Sequence, residues 1–151
     1  MTLQSKVINW DSELEVEDFI RPERDKVRAL LIDDDPVDAS LINRLAAKSR
    51  QLEISLTICP SVAGAAALLE EHEYDVLYVD YWMGWQTSIH FIHVLSKAQN
   101  APCVLVTGLD EPDIRRIAFR AGVKAFLSKD ELSTQAIEGV TLAVLRPPNN
   151  H

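Results

Sequence analysis

Val27-Arg28-Ala29-Leu30-Leu31-Ile32 runs straight into Asp33-Asp34-Asp35-Pro36, and this junction of an apolar run with three acids decides the fold. The same arrangement recurs three more times. Asp75-Val76-Leu77-Tyr78-Val79 ends in Asp80, Cys103-Val104-Leu105-Val106 ends in Thr107, and Lys124-Ala125-Phe126-Leu127-Ser128 ends in Lys129. In an open parallel α/β sheet all such strand ends lie along one edge, where ligands bind. An acidic cluster, a lone carboxylate, a hydroxyl and an ammonium are therefore expected to meet in one pocket. That set suits a divalent metal and a phosphoryl group.

Working outward, strands alternate with helices. Leu41, Ile42, Leu45 and Ala46 fall at helical spacing after Pro36, a residue favoured in the first turn. Leu52, Ile54, Leu56 and Ile58 alternate with polar residues, which predicts an edge strand with one wet face. Pro60-Ser61 opens a small-residue helix from Val62 to His72. Val76 to Val79 is short and almost wholly apolar, as a central strand covered on both faces should be. Ile89, Ile92, His93 and Leu95 mark a third helix ending near Asn100, and Pro102 precedes the fourth strand. Pro112 starts a fourth helix that stops at Gly122. Ala125 to Leu127 is the fifth strand, and Glu131 to Leu145 the last helix, with Leu132, Ala136, Val140 and Ala143 on one face. Such alternation implies parallel pairing and right-handed crossovers. The expected fold is α/β: a doubly wound, five-stranded parallel sheet with helices on both faces. It occupies residues 27–146, between an N-terminal extension (1–26) and a short tail (147–151) that Pro147-Pro148 opens.

In the extension, Ser12-Glu13-Leu14-Glu15 spells a capping box, and Leu14, Phe19 and Ile20 fall on one stripe. A short helix that packs on the domain is the expectation. An exposed Trp10 would point instead to a dimerisation arm.

The chain of 151 residues is the right size for one domain with a real core. Its net charge of −8 disfavours nucleic acid and anionic lipid, since Arg115-Arg116 and Arg120 form only a small basic stretch. No apolar run approaches the ~20 residues that span a bilayer, and Met1 to Lys6 lacks the apolar core of a signal peptide. Cys59 and Cys103 have no metal-spaced neighbours and read as buried thiols of a reducing compartment. A cytoplasmic location is expected. His72, His90, His93 and His151 show no ligand spacing that also offers a pocket.

Four motifs together resemble the receiver domain of two-component response regulators, over about Val27 to Leu145. Leu31-Ile32-Asp33-Asp34-Asp35-Pro36 is similar to that family's hydrophobic-Asp-Asp-acid-Pro motif. Asp75 to Met83 is similar to its phosphoacceptor strand, including the Met three residues past Asp80. Val106-Thr107 matches the switch hydroxyl, and Phe126-Leu127-Ser128-Lys129 the switch aromatic followed by the lysine. Each motif is weak alone; four in order on successive strands are specific.

The resemblance implies a flavodoxin-like sheet of strand order 2-1-3-4-5. It implies that Asp80 takes a phosphoryl group from a histidine of a sensor kinase or phosphotransfer protein. Asp33, Asp34, Asp80 and the backbone carbonyl of Trp82 would hold Mg²⁺, a cation that prefers hard oxygen ligands. Lys129 would meet a phosphoryl oxygen as a point charge, and Thr107 would donate its hydroxyl to another. Thr107 and Phe126 would then switch the face of helix four, strand five and helix five toward a downstream protein target, with homodimerisation a further expectation.

The chain also departs from the family pattern. Gly84 stands where Pro usually follows the Met, Ser88 where a Gly is usual, and Asp130 where a cis proline usually follows the lysine. The aromatic loop Trp82-Met83-Gly84-Trp85 is unusual, and Trp82 is expected to shield an acyl phosphate from water.

Two other functions compete. Asp33-Asp34-Asp35-Pro36-Val37 also fits the DxDxV spelling of haloacid-dehalogenase-type phosphatases, with Asp33 as nucleophile. That family needs a later acidic pair and has no use for Asp80. The other alternative is a binding module of the same fold that works without phosphorylation. Asp33 to Asp35 as a mere capping loop is the lesser reading, because three acids directly after an apolar strand are uncommon in that role. Taken singly, Thr107 reads fairly as a strand-end hydroxyl and Lys129 as a surface lysine, and Phe126 as core is compatible with its switch role.

Overall fold

The computed structural model describes residues 24–98, 100–108 and 111–145. The expected N-terminal helix, its capping box and Trp10, and the Pro147-Pro148 tail, lie outside the described residues.

Five parallel strands form the main sheet: β1 (Asp25–Ile32), β2 (Leu52–Cys59), β3 (Val76–Asp80), β6 (Cys103–Thr107) and β7 (Val123–Ser128). Their order is β2-β1-β3-β6-β7, the expected 2-1-3-4-5 once the small hairpin β4 (Trp82–Met83) and β5 (Gln86–Thr87) is set aside. Among the described residues four helices connect them, α1 (Pro36–Ala47), α2 (Val62–Glu71), α3 (Ile89–Ala98) and α4 (Pro112–Ala121), and a fifth, α5 (Thr134–Leu145), follows β7.

The strands sort their side chains by parity into two cores. Ala29, Leu31, Val76, Tyr78, Val104 and Val106 pack against Ala39, Ile42 and Ala46 of α1 and Ile137 of α5. The alternate residues Leu30, Ile32, Leu77, Val79, Cys103 and Leu105 pack against α2, α3 and α4. Every β3 and β6 residue is buried, which is why those segments read as unbroken apolar runs. Inside the first core the Tyr78 phenol needs a partner. It donates to Thr141 Oγ1, whose own proton goes to the Ile137 carbonyl at 2.6 Å.

β2 is the edge strand, as its alternation predicts, but its apolar row runs out early. Ile58 is 40% exposed, whereas Cys59, on the opposite parity, is buried in the core beneath α2. The last helix also differs from expectation. Lys129–Glu131 forms a separate 3₁₀ turn, because the Ser128 hydroxyl accepts the Asp130 N–H and closes a local turn. α5 starts at Thr134, where the Ser133 hydroxyl accepts the Ala136 N–H. α1 and α4 start at Pro36 and Pro112 as expected, and Gly122 closes α4 at φ 118°.

Candidate functional site

All four strand-end groups lie along the carboxyl edge of the sheet. β1 delivers Asp33 one residue past its end, where the Asp33 N–H donates to the Cys59 carbonyl at 3.1 Å. Asp33 is 1% exposed. Oδ1 accepts the Asp35 N–H at 2.9 Å, and Oδ2 is buried without a hydrogen-bond partner. Asp35 serves as N-cap of α1, accepting from Val37 and Asp38. The capping-loop reading of the acidic triplet thus holds for Asp35 alone.

Asp80, 5% exposed, ends β3 in register with Val106 of β6. Carboxylate oxygens of Asp33, Asp34 and Asp80 lie within 4.8 Å of one another. Burial pushes the Asp33 carboxyl up to about 7; the Asp35 N–H opposes this, and the nearby Asp80 charge adds to it. Burial also raises Asp80, with Lys129 pulling the other way. Three crowded carboxylates and an orphaned buried oxygen fit a hard divalent cation, which would satisfy Asp33 Oδ2 and neutralise the repulsion.

Lys129 enters from the end of β7. Its ammonium donates to Asp80 Oδ2 at 3.1 Å and to Asp38 Oδ2 at 2.8 Å. Asp38 was not among the residues anticipated. It sits on the first turn of α1, and no local sequence signal pairs it with a lysine 91 positions away. Thr107, buried, ends β6 in register with Ser128. With Phe126, Arg115 and Ser128 it lines a cavity of about 360 Å³. Phe126 is half-buried, edge-on to Phe119 at 5.1 Å, and the Arg115 guanidinium lies 4.7 Å from its ring centre.

The aromatic loop is a hairpin. Trp82 pairs with Thr87 and Met83 with Gln86, leaving Gly84 and Trp85 at the turn. Gly84 has φ 69°, which a two-residue hairpin turn of this hand requires. Trp85 is 84% exposed, and Trp82 is 49% exposed with its ring edge-on to Tyr81 at 5.3 Å. Ser88, in place of the family's Gly, is buried and donates its hydroxyl to the Asp80 carbonyl at 2.7 Å. That hydroxyl fastens the start of α3 to the backbone of Asp80. Among the described residues every peptide bond is trans, including Lys129–Asp130.

An acidic pocket, a carboxylate-paired lysine and a strand-end hydroxyl thus meet at one edge of the sheet. Residues 29–140 match the response regulator receiver domain family, and the chain belongs to it, a family of two-component signal transduction. The signal receiver domain of the putative response regulator NarL from Mycobacterium tuberculosis superposes with a TM-score of 0.66 at 26% identity, covering 77% of this chain and 94% of that one. Chemotaxis protein CheY4 of Vibrio cholerae shares the fold at a TM-score of 0.70 and 17% identity, covering 80% and 99% of the two chains. Protein-glutamate methylesterase/protein-glutamine glutaminase 1 of Burkholderia pseudomallei is 27% identical over 106 residues, 69% of this chain. The chain spans only 29% of that relative's length. No helix among the described residues is long and apolar enough to cross a membrane.

Proposed function

We propose that Asp80 is the phosphoacceptor of a cytoplasmic two-component pathway. The observation that carries this reading is the Lys129 ammonium 3.1 Å from Asp80 Oδ2, beside two further carboxylates. An Asp80 oxygen attacks the phosphorus of a phosphohistidine on a sensor kinase or phosphotransfer protein. A P–O bond forms as the P–N bond breaks, and that bond's electron pair leaves on the imidazole nitrogen. Asp33, Asp34, Asp80 and the Trp82 carbonyl would hold Mg²⁺, which when bound neutralises charge on the phosphoryl oxygens. Lys129 binds one phosphoryl oxygen and Thr107 donates to another.

When Thr107 moves toward the phosphoryl group it vacates space beside Phe126, its neighbour along the cavity wall. Phe126 turns inward at low cost, since it carries no hydroxyl to bury. The changed face is α4, β7 and α5, and it binds a downstream protein or a second copy of the chain.

Incubation with acetyl phosphate and Mg²⁺, followed by mapping of the modified aspartate, is the test. Label on Asp80 supports the reading. Label on Asp33 overturns it in favour of a phosphatase, and no label favours a binding module that works without phosphorylation.

A further inference from the structure

Lys129 has two carboxylate partners, and the nearer is not the acceptor. Its ammonium is 2.8 Å from Asp38 and 3.1 Å from Asp80. The side chains of Lys129 and Asp38 are 23% and 33% exposed, so water screens this pair only in part. Asp38 is not on a mobile loop. It belongs to the first turn of α1, whose start is fixed by Pro36 and by the Asp35 cap that accepts the Asp38 N–H. The carboxylate is therefore held where it stands, and Lys129 reaches it from the end of β7.

An ammonium has three N–H donors and one positive charge. The donors suffice for Asp38 and a phosphoryl oxygen together, but the charge is already balanced by Asp38. Phosphorylation of Asp80 places new negative charge against this same ammonium. We propose that Asp38 is a positioning residue that competes with the phosphoryl group for Lys129 and so sets how tightly the site holds that group. The proposal rests on Asp80 being the acceptor.

An acidic residue in a first helical turn also favours the helix dipole. That role affects stability and not phosphoryl affinity, so the two roles separate by experiment. Asp38→Asn keeps the shape and one acceptor oxygen but removes the charge; Asp38→Glu keeps the charge. Beryllofluoride, a phosphoryl mimic, is titrated into each protein at saturating Mg²⁺ and followed by tryptophan fluorescence. Asp38→Asn is expected to bind it about tenfold more tightly, the scale of removing one partly screened charge. Asp38→Glu is expected to stay near wild type. Without metal, the ¹⁵N signal of the Lys129 ammonium should exchange faster with water in Asp38→Asn than in wild type.

Equal or weaker beryllofluoride binding by Asp38→Asn overturns the proposal even when wild type responds. Equal tightening by Asp38→Glu also overturns it, because charge is then not the cause. A wild-type protein that binds no beryllofluoride removes the reading of Asp80 together with this one.

Discussion

The backbone N–H of Gly84 donates to Oδ2 of Asp34 at 2.7 Å. The bond ties the tip of the β4–β5 hairpin to a carboxylate of the acidic pocket. Proline, the usual residue of the family at this point, has no N–H and a φ near −65°, so it could neither make the bond nor adopt the φ of 69° seen here. Gly84 thus supplies a contact that the ordinary pattern forbids. Gly84→Pro is expected to release Asp34 and weaken Mg²⁺ binding by about tenfold, the usual cost of losing a group that orients a metal ligand. Calorimetric titration with Mg²⁺ measures this; an unchanged Kd would show that Asp34 needs no such support.

The Asp33 carboxyl titrates near 7 because it is buried. Its folded value stands above its unfolded one, so the metal-free fold holds this proton more tightly than the unfolded chain does. The resulting stabilisation is full below the ordinary carboxylate range and is lost as pH rises through about 7. Mg²⁺ needs the ionised form and competes with the proton. The thermal shift produced by Mg²⁺ is therefore expected to be larger at about pH 8 than at about pH 5.5. Asp33→Asn should flatten that difference. Identical Mg²⁺ shifts at the two pH values in wild type would count against Asp33 as a ligand.

Trp82 follows Asp80 by two residues and lies half-exposed on β4. Its ring packs edge-on against Tyr81 and leaves a broad apolar surface partly open to solvent. If that surface limits the approach of water, Trp82→Asn shortens the lifetime of the acyl phosphate several-fold. Loss of ³²P label from the two proteins in Mg²⁺ reads this directly, and equal half-lives refute shielding.

The parts of the fold that could be read from the sequence share one physical property. The second half of β1 (residues 29–32), β3 and β6 are covered on both faces, so parallel pairing imprints them as apolar runs, and the polar residue that ends each run marks the sheet edge. Pro36, Pro112 and Gly122 announce helix ends through backbone restrictions that act locally. The hairpin left no such mark, because two-residue strands are too short to show a period of two. Asp38 escaped notice for another reason: its pairing with Lys129 spans 91 positions and depends on how α1 sits over the end of β7. The exposure of Ile58 likewise follows from which part of β2 the helices cover, a tertiary matter that alternation cannot encode.

A third buried acid does structural work away from the pocket. Glu138 of α5 accepts the Ser49 hydroxyl at 2.6 Å and the N–H groups of Arg50 and Gln51 at 2.8 and 3.1 Å. One carboxylate thereby gathers three donors of the turn between α1 and β2. Burial works against its charge, but these bonds outweigh it and hold the carboxyl below its usual range. Glu138→Ala removes the acceptor of the buried Ser49 O–H and of the Arg50 and Gln51 amides, at a cost of about 2 kcal/mol, set mainly by the buried hydroxyl. Because the folded value is depressed, this stabilisation is present above the unfolded carboxylate range and is lost as pH falls through the folded value. Urea unfolding of wild type and Glu138→Ala should therefore differ by that amount near neutrality and converge in acid. A gap that stays constant down to about pH 3 would mean that packing, not the ionised carboxylate, holds the turn.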